Sequence, residues 1–431
     1  MATHTLDGRQ PESAAGLDVA AAVKDFYERY PYPRPIDDLD NYRRRWQDPN
    51  RRRADFHLLW PDKPFTDART ILVAGCGTSQ AAKHAARSPA ARVVAIDVSA
   101  TSVRHTEDLR RKYDLTNLEV HQLPIDRVGD LKMTFDEVVC TGVLHHLANP
   151  DAALRALRDV LDPDGAMQLM VYAPYGRAGI YMLQDFCRRI GVQSSDSEIQ
   201  DLIVALGALP AGHPLARLLL EAPDFRQEAA LADALLHPHD RAYSVPQLMD
   251  YISSAGLVFS RWVRQAPYSP HCGVMSRLPQ TSRIAALEPA QQYAAAELFR
   301  GSMMAHSVIV RRDDCPGRSH TIGFADGAWI DYVPVRVPDT LCVEQKLPPG
   351  AAAVLINRAH THTDIYLPIG AREKRMVDAI DGERSIAEIA GDEHRDICRA
   401  LFERLWWHDQ VVFDGSRSLP LQARKGLSDG E

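Results

Sequence analysis

Apolar residues recur along this chain with two spacings, and the switch between them marks out its elements. Runs over 71–74, 92–97, 118–121, 135–140 and 166–172 predict β-strands, whereas 79–87, 100–113 and 150–161 predict helices. Strands separated by helices imply an α/β domain with a doubly wound, mostly parallel sheet, whose ligand crevice lies at the carboxyl ends of the strands. Beyond it the pattern is helical over about 177–241 and about 266–303, interrupted by a strand at 257–262 and closed by another at 306–311. Those two stretches read as helical insertions over the ligand edge of the sheet.

Both flanks of this domain differ in character. Upstream, a helix predicted over Val19–Tyr30 is stopped by Pro31, and Tyr30-Pro31-Tyr32-Pro33-Arg34-Pro35 projects tyrosines and an arginine from a path that proline holds extended. Downstream, proline-rich β-like pieces (Trp329–Val337, Ala352–Ile356) precede three predicted helices, Glu373–Ile380, Ser385–Ala390 and Asp396–Trp407, and a short strand at 410–413. That order predicts a small α+β accessory domain with a winged-helix-like part over about 371–415. The expected division is 1–65 (helix and lid segment), 66–314 (catalytic domain) and 315–431 (accessory domain).

The chemistry concentrates where the first strand ends. Ile71-Leu72-Val73-Ala74 runs into Gly75-Cys76-Gly77-Thr78-Ser79, and the second strand ends on Asp97 followed by Val98. Glycines let backbone N–H groups approach a ligand, and a carboxylate about twenty positions on binds the hydroxyls of a ribose. An adenosine-containing cofactor follows. A dinucleotide turn has a third glycine for its pyrophosphate, which this turn lacks, so a nicotinamide-dependent oxidoreductase is disfavoured.

With Phe135-Asp136-Glu137-Val138-Val139-Cys140-Thr141-Gly142-Val143-Leu144-His145-His146-Leu147 and Leu161-Asp162-Pro163-Asp164-Gly165 downstream, the motif order resembles the class I, Rossmann-like S-adenosylmethionine-dependent methyltransferases. The resemblance implies a cofactor, S-adenosyl-L-methionine, bordered by Gly75, Cys76, Gly77 and Thr78. It also implies that Asp97 and Val98 hold the ribose side, and that Thr141 and Gly142 close near the sulfonium. Two family positions differ: the acidic residue expected in the first strand is Val73, and the adenine-side acid is displaced to Asp126. By the same likeness Tyr30, Tyr32 or Arg34 would contact the methionine carboxylate. His146, with His145 beside it, is the candidate general base, since imidazole takes protons near neutral pH. Tyr172 is a candidate to orient the acceptor. The C-terminal part also resembles the winged-helix regulatory segments of some methyltransferases.

Charge and cysteine usage narrow the partners. A formal net charge of −7 over 431 residues argues against a polyanionic ligand, so nucleic acid is not expected. Seven cysteines without a C-x-x-C pair suggest neither a zinc ribbon nor a disulfide framework. No apolar run reaches the ~18–20 residues of a membrane span; no membrane partner and a cytoplasmic location are expected. The clusters His237-Pro238-His239-Asp240 and His360-Thr361-His362-Thr363-Asp364 fall short of a recognisable metal set, so no metal is expected. The expected activity is methyl transfer to an N or O nucleophile of a small molecule or peptide. A protein side-chain methyltransferase, for example on lysine, that docks its partner through the C-terminal domain is one alternative. A cofactor-binding regulatory protein is another, and a homodimer is an open expectation.

Overall fold

A computed structural model describes residues 14–221, 227–315 and 321–418. Seven strands form one sheet: β1 (Thr70–Ala74), β2 (Arg92–Asp97), β3 (Leu118–Gln122), β4 (Phe135–Thr141), β5 (Leu161–Tyr172), β6 (Leu257–Trp262) and β7 (Ala305–Arg312). Their order is β3-β2-β1-β4-β5-β7-β6. Strands β1 to β5 are parallel, and β7 runs antiparallel between β5 and β6. Because side chains alternate across a strand, β1 serves two cores: Leu72 and Ala74 join one cluster, Ile71 and Val73 the other. The order of strand addition reverses at β1, with β2 on one side and β4 on the other, and this opens the crevice at their carboxyl ends.

Most predicted elements recur with small shifts at their ends. The predicted helix 150–161 stops at Asp159 and β5 begins at Leu161, because Leu161 is buried opposite Phe135 before the register shifts. The N-terminal helix, expected from Val19, begins earlier at Ala14; residues 1–13 lie outside the described residues. The first insertion forms helices Ala178–Ile190, Asp196–Gly207, Pro214–Glu221 and Glu228–Leu235, a cap whose apolar core takes in Phe26 and Tyr30.

The N-terminal segment is bolted down at two further points. Glu28 accepts the N–H groups of Ala100 (2.5 Å) and Thr101 (3.2 Å) at the start of helix Ala100–Lys112. Such anionic capping of a helix N-terminus is favourable. In helix Pro49–Leu59, Asp55 faces Arg87 (3.2 Å) and Arg69 (3.7 Å), and both arginines reach the fully buried Glu137 of β4 (3.3 and 2.8 Å).

The C-terminal part adds β8 (Val333–Arg336), β9 (Thr340–Val343), β10 (Ala353–Asn357), β11 (Leu367–Ile369) and β12 (Val411–Asp414). Strands β9, β10 and β11 form a small antiparallel sheet; β10 matches the β-like piece expected over Ala352–Ile356, while β9 and β11, four and three residues long, leave no periodic trace in the sequence. Helices Ala371–Asp378, Ile386–Ala390 and Arg395–Trp407 occur near their expected places. The winged-helix expectation is not confirmed: β12 pairs with β8, which precedes the helices, and no strand follows it among the described residues. The third helix buries Cys398, Leu401, Phe402, Leu405 and Trp406, leaving that face no freedom to enter a groove.

This part is packed against the rest of the chain. Gln265 donates to the carbonyl of Trp406 (2.6 Å), the Ala266 N–H to Asp409 (2.9 Å), and the Arg261 guanidinium lies 4.2 Å from the centre of the Trp406 ring. Phe413 is fully buried in the same core as Ala54 of helix Pro49–Leu59. Phe413→Ala is therefore expected to remove about 3–5 kcal/mol from the stability read by urea unfolding. A loss below about 1 kcal/mol would mean that this core contributes little.

Candidate functional site

A cavity of about 810 Å³ opens at the carboxyl ends of β1, β2, β4 and β5, roofed by Val23, Tyr27 and Tyr32 of the N-terminal segment and by Ala230 and Asp233 of the cap. Its floor is the glycine turn. Gly75 has φ +71°, and a Cβ there would stand 2.4 Å from a Val143 methyl, so backbone conformation and the close approach of the β4 loop both require glycine. At Gly77, φ +53°, the neighbours are Pro33 and the Tyr32 carbonyl. The strap thus lies directly over the turn.

Asp97 is the fixed point of this end. Its Oδ2 accepts the Gly77 N–H and its Oδ1 the Ser99 N–H, each at 2.9 Å. Burial pushes its pKa up, and the backbone N–H groups oppose that rise. Each oxygen keeps a lone pair for a further donor. Val98 and Asp126 line the cavity beyond it; Thr141 and Gly142 line the opposite side, where Gln80 donates to the Thr141 hydroxyl (2.6 Å). Cys76 is also on the wall, but burial drives its thiol pKa up, so it acts as an apolar residue.

The inner end is polar and buried. Tyr27 donates to Asp233 Oδ1 (3.0 Å) and Tyr172 to Oδ2 (3.4 Å). Burial, then the nearby Asp233 carboxylate, raises both phenol pKa values well above normal. Burial also raises the pKa of Asp233. The Arg177 guanidinium sits 3.5 Å from the centre of the Tyr172 ring and pairs with Asp240 (3.3 Å).

Backbone partners fix the tautomers of two histidines here. His146 Nδ1 lies 3.0 Å from the His239 carbonyl, which can only accept, so Nδ1 carries a proton. Neutral His146 therefore has its lone pair on Nε2, a buried atom without a hydrogen-bond partner among the described residues. His237 is the reverse: its Nδ1 accepts the His239 N–H (3.1 Å), leaving the proton on Nε2. Ligand atoms of His146, Asp233 and His237 lie within 4.8 Å of one another, as do those of His145, His146 and Asp240. The first trio does not make a ready metal set, since His237 has no lone pair to offer from Nε2.

Several expected site residues lie off the cavity wall. Tyr30 donates to the Ser194 carbonyl (2.7 Å) within the cap, Thr78 donates to the Pro33 carbonyl (2.7 Å), and Arg34 is exposed. His145 is fully buried behind His146, 3.9 Å ring to ring from Tyr172. Conversely, the sequence reading missed Tyr27, Gln80, Lys83, Arg177 and Asp233. Asp233 carried a signal, being the acidic residue in the middle of the otherwise apolar run Ala229–Leu236. Tyr27 carried none, because its distance from the glycine turn in sequence hides its position in space, and Lys83, on the helix just after that turn, carried none because the residue pattern does not show which face of the helix meets the cavity.

Residues 72–167 match the family model described as a methyltransferase domain, and the chain carries that domain. Over 311 residues it is 29% identical to an uncharacterized protein of Synechococcus sp., spanning 69% of this chain and 73% of that one. A tRNA U34 carboxymethyltransferase of Shewanella amazonensis is 39% identical over 108 residues, only 25% of this chain and 32% of that one. In structure the chain is similar to PKMT2 from Rickettsia typhi, at TM-score 0.61 and 15% identity, covering 85% of this chain and 75% of that one. That likeness is one of fold.

The buried histidines make stability depend on pH. Burial lowers the pKa of His84 and His145 well below the usual 6.5, and that of His237 to about 2. The unfolded chain takes up protons that the folded state refuses once pH falls through 6.5. Stability is thus complete above that value and declines below it, by about 1.4 kcal/mol per pH unit for each such histidine. His237→Gln should flatten the slope of urea-unfolding free energy between pH 6 and 5; an unchanged slope would mean that His237 protonates in the folded state.

Proposed function

We propose that this chain, through its methyltransferase domain, moves a methyl group from S-adenosylmethionine to an N or O nucleophile of a small molecule or peptide. The observation that carries the reading is the joining, in one cavity, of the Asp97 end with the unpartnered Nε2 of His146. The donor set fits the cofactor. Asp97 retains acceptor capacity for both ribose hydroxyls, Val98 and Asp126 stand where the adenine would extend, and Gly75 and Gly142 leave the backbone open beside Thr141.

When bound, S-adenosylmethionine supplies an electrophilic methyl carbon on a sulfonium. The chain's own residues do the rest. Burial under the strap and cap excludes water, which favours in-line displacement. His146 Nε2 takes the acceptor's proton, and the hydrogen bond from Nδ1 to the His239 carbonyl keeps the lone pair on that nitrogen. Tyr27 and Tyr172, both tied to Asp233, orient the acceptor.

The buried Asp233 carboxylate among the rings of Tyr27, Tyr172, His146 and His237 favours, between nitrogen and oxygen, an amine that arrives as an ammonium ion. The same feature supports a second reading, methyl transfer to a protein amine such as a lysine side chain, with the C-terminal part docking the partner.

Calorimetry with S-adenosylhomocysteine tests the cofactor half. Asp97→Ala should weaken binding by about 1.5–3 kcal/mol with circular dichroism unchanged, and an unaltered dissociation constant would remove Asp97 from the site. Among alkyl amines and phenols, an accepted compound then tests the base. His146→Ala should depress turnover far more than S-adenosylhomocysteine affinity, with partial recovery at higher pH. Equal losses in both would leave His146 a packing residue.

A further inference from the structure

The amino-acid tail of S-adenosylmethionine brings a carboxylate into the cavity, and a buried carboxylate needs a cationic or hydrogen-bonding partner. The strap does not supply a cation for it. Tyr30 is committed to the Ser194 carbonyl, Arg34 is exposed away from the cavity wall, and Tyr32, which does line the wall, offers a phenol but no positive charge.

Among the described residues of the wall the lysine and arginine side chains are those of Lys83 and Arg177. Arg177 is spent on Asp240, the Tyr181 hydroxyl and the Tyr172 ring. Lys83 is different. It is half-buried, it makes no hydrogen bond or ion pair among the described residues, and burial alone lowers its pKa, so no carboxylate of the chain offsets its charge. A half-buried lysine without a counter-ion is costly to keep unless a ligand completes it.

Its placement suits one particular anion. Lys83 stands three residues after Gln80 on helix Gln80–Arg87, hence on the same face one turn on. Gln80 is the residue that donates to Thr141 at the end of β4, on the side of the cavity opposite Asp97. Helical side chains lean toward the helix N-terminus, so the lysine stem runs back toward Gln80 and the glycine turn. His84, the next residue, is held neutral by burial and does not compete for an anion. Val73, in β1, offers no acidic group that would repel one.

We propose that Lys83 binds the carboxylate of the cofactor's amino-acid tail, so that this anchor comes from the helix after the glycine turn and not from the N-terminal strap. The inference rests on the reading of the cavity as an S-adenosylmethionine site. It makes Lys83 a selector for the intact amino-acid tail over adenosine thioethers that lack the carboxylate.

The test is a four-way calorimetric comparison of the wild-type chain and Lys83→Met, each with S-adenosylhomocysteine and with its decarboxylated analogue. Removing the carboxylate from the ligand, or the ammonium from the protein, should each cost about tenfold or more in affinity. Removing both should cost little beyond either alone, the non-additivity expected of a direct pair. Lys83→Arg should retain most of the affinity for S-adenosylhomocysteine, which guards against a general disturbance of the helix. If Lys83→Met binds S-adenosylhomocysteine as the wild type does, or weakens both ligands by the same factor, the carboxylate is held elsewhere and the proposal is overturned. Failure of the wild-type chain to bind S-adenosylhomocysteine at all would instead overturn the cofactor reading, and Lys83 with it.

Discussion

The site depends first on a carboxylate that is expensive to bury. Asp97 stands at the tip of β2, and burial raises its pKa because the charged form is poorly solvated there. Two backbone N–H groups offset that cost, one from the glycine turn after β1 and one from the residue that opens the next helix. The first of these bonds also ties the end of β1 to the end of β2. Gly77 must adopt positive φ to aim its N–H at Asp97, and Gly75 must lack a Cβ for Val143 of the β4 loop to close beside it. Binding geometry and strand-end geometry are thus one constraint.

The N-terminal helix then couples the two ends of the cavity through adjacent residues. Tyr27 reaches Asp233 on the cap, while Glu28 accepts the N–H groups that follow the Asp97 loop. Neighbours in a helix point about 100° apart, which is why one turn of chain serves both the cap and the sheet. Phe26 and Tyr30 hold that turn in the cap's apolar core. The tyrosines and proline of the strap therefore divide their work: Tyr30 packs, Tyr27 and Tyr32 line the cavity, and the Pro33 carbonyl receives the Thr78 hydroxyl.

What was legible in the sequence follows from how local each signal is. The sheet from β1 to β5 was legible because strands and helices alternate with distinct periods, and the glycine turn and Asp97 because their spacing is set within one βαβ unit. Lys83 was not, although it belongs to the same βαβ unit, because the residue pattern does not show which face of its helix meets the cavity; Asp233 and Tyr27 were not either, since each reaches it through tertiary packing that leaves no periodic trace. The pairing of β12 with β8 was hidden for the same reason: the two strands are separated by some seventy-five residues of other structure. Histidine roles were half legible. The pair His145-His146 announced itself, but only the His239 backbone, from a distant loop, decides that His146 presents a lone pair from Nε2 while His237 presents a proton.

Charge balance around the cavity bears on which acceptors it can admit. Asp97, Asp126 and Asp233 stand on the wall with Lys83 and Arg177, and Arg177 is already offset by Asp240. A cofactor carboxylate on Lys83 would offset the other cation. On that reading the remaining field at the inner end is set by Asp233: burial raises its pKa, while the hydrogen bonds from Tyr27 and Tyr172 oppose that rise in favour of the carboxylate. On the proposed reading, a negative, aromatic-lined end would attract a cationic acceptor and disfavour a phosphate. It also stabilises positive charge on the acceptor as the new bond to the methyl carbon forms. On that reading, the electrostatics that would admit an ammonium ion would disfavour a polyanion at this end, and the chain's formal net charge of −7 would act in the same direction.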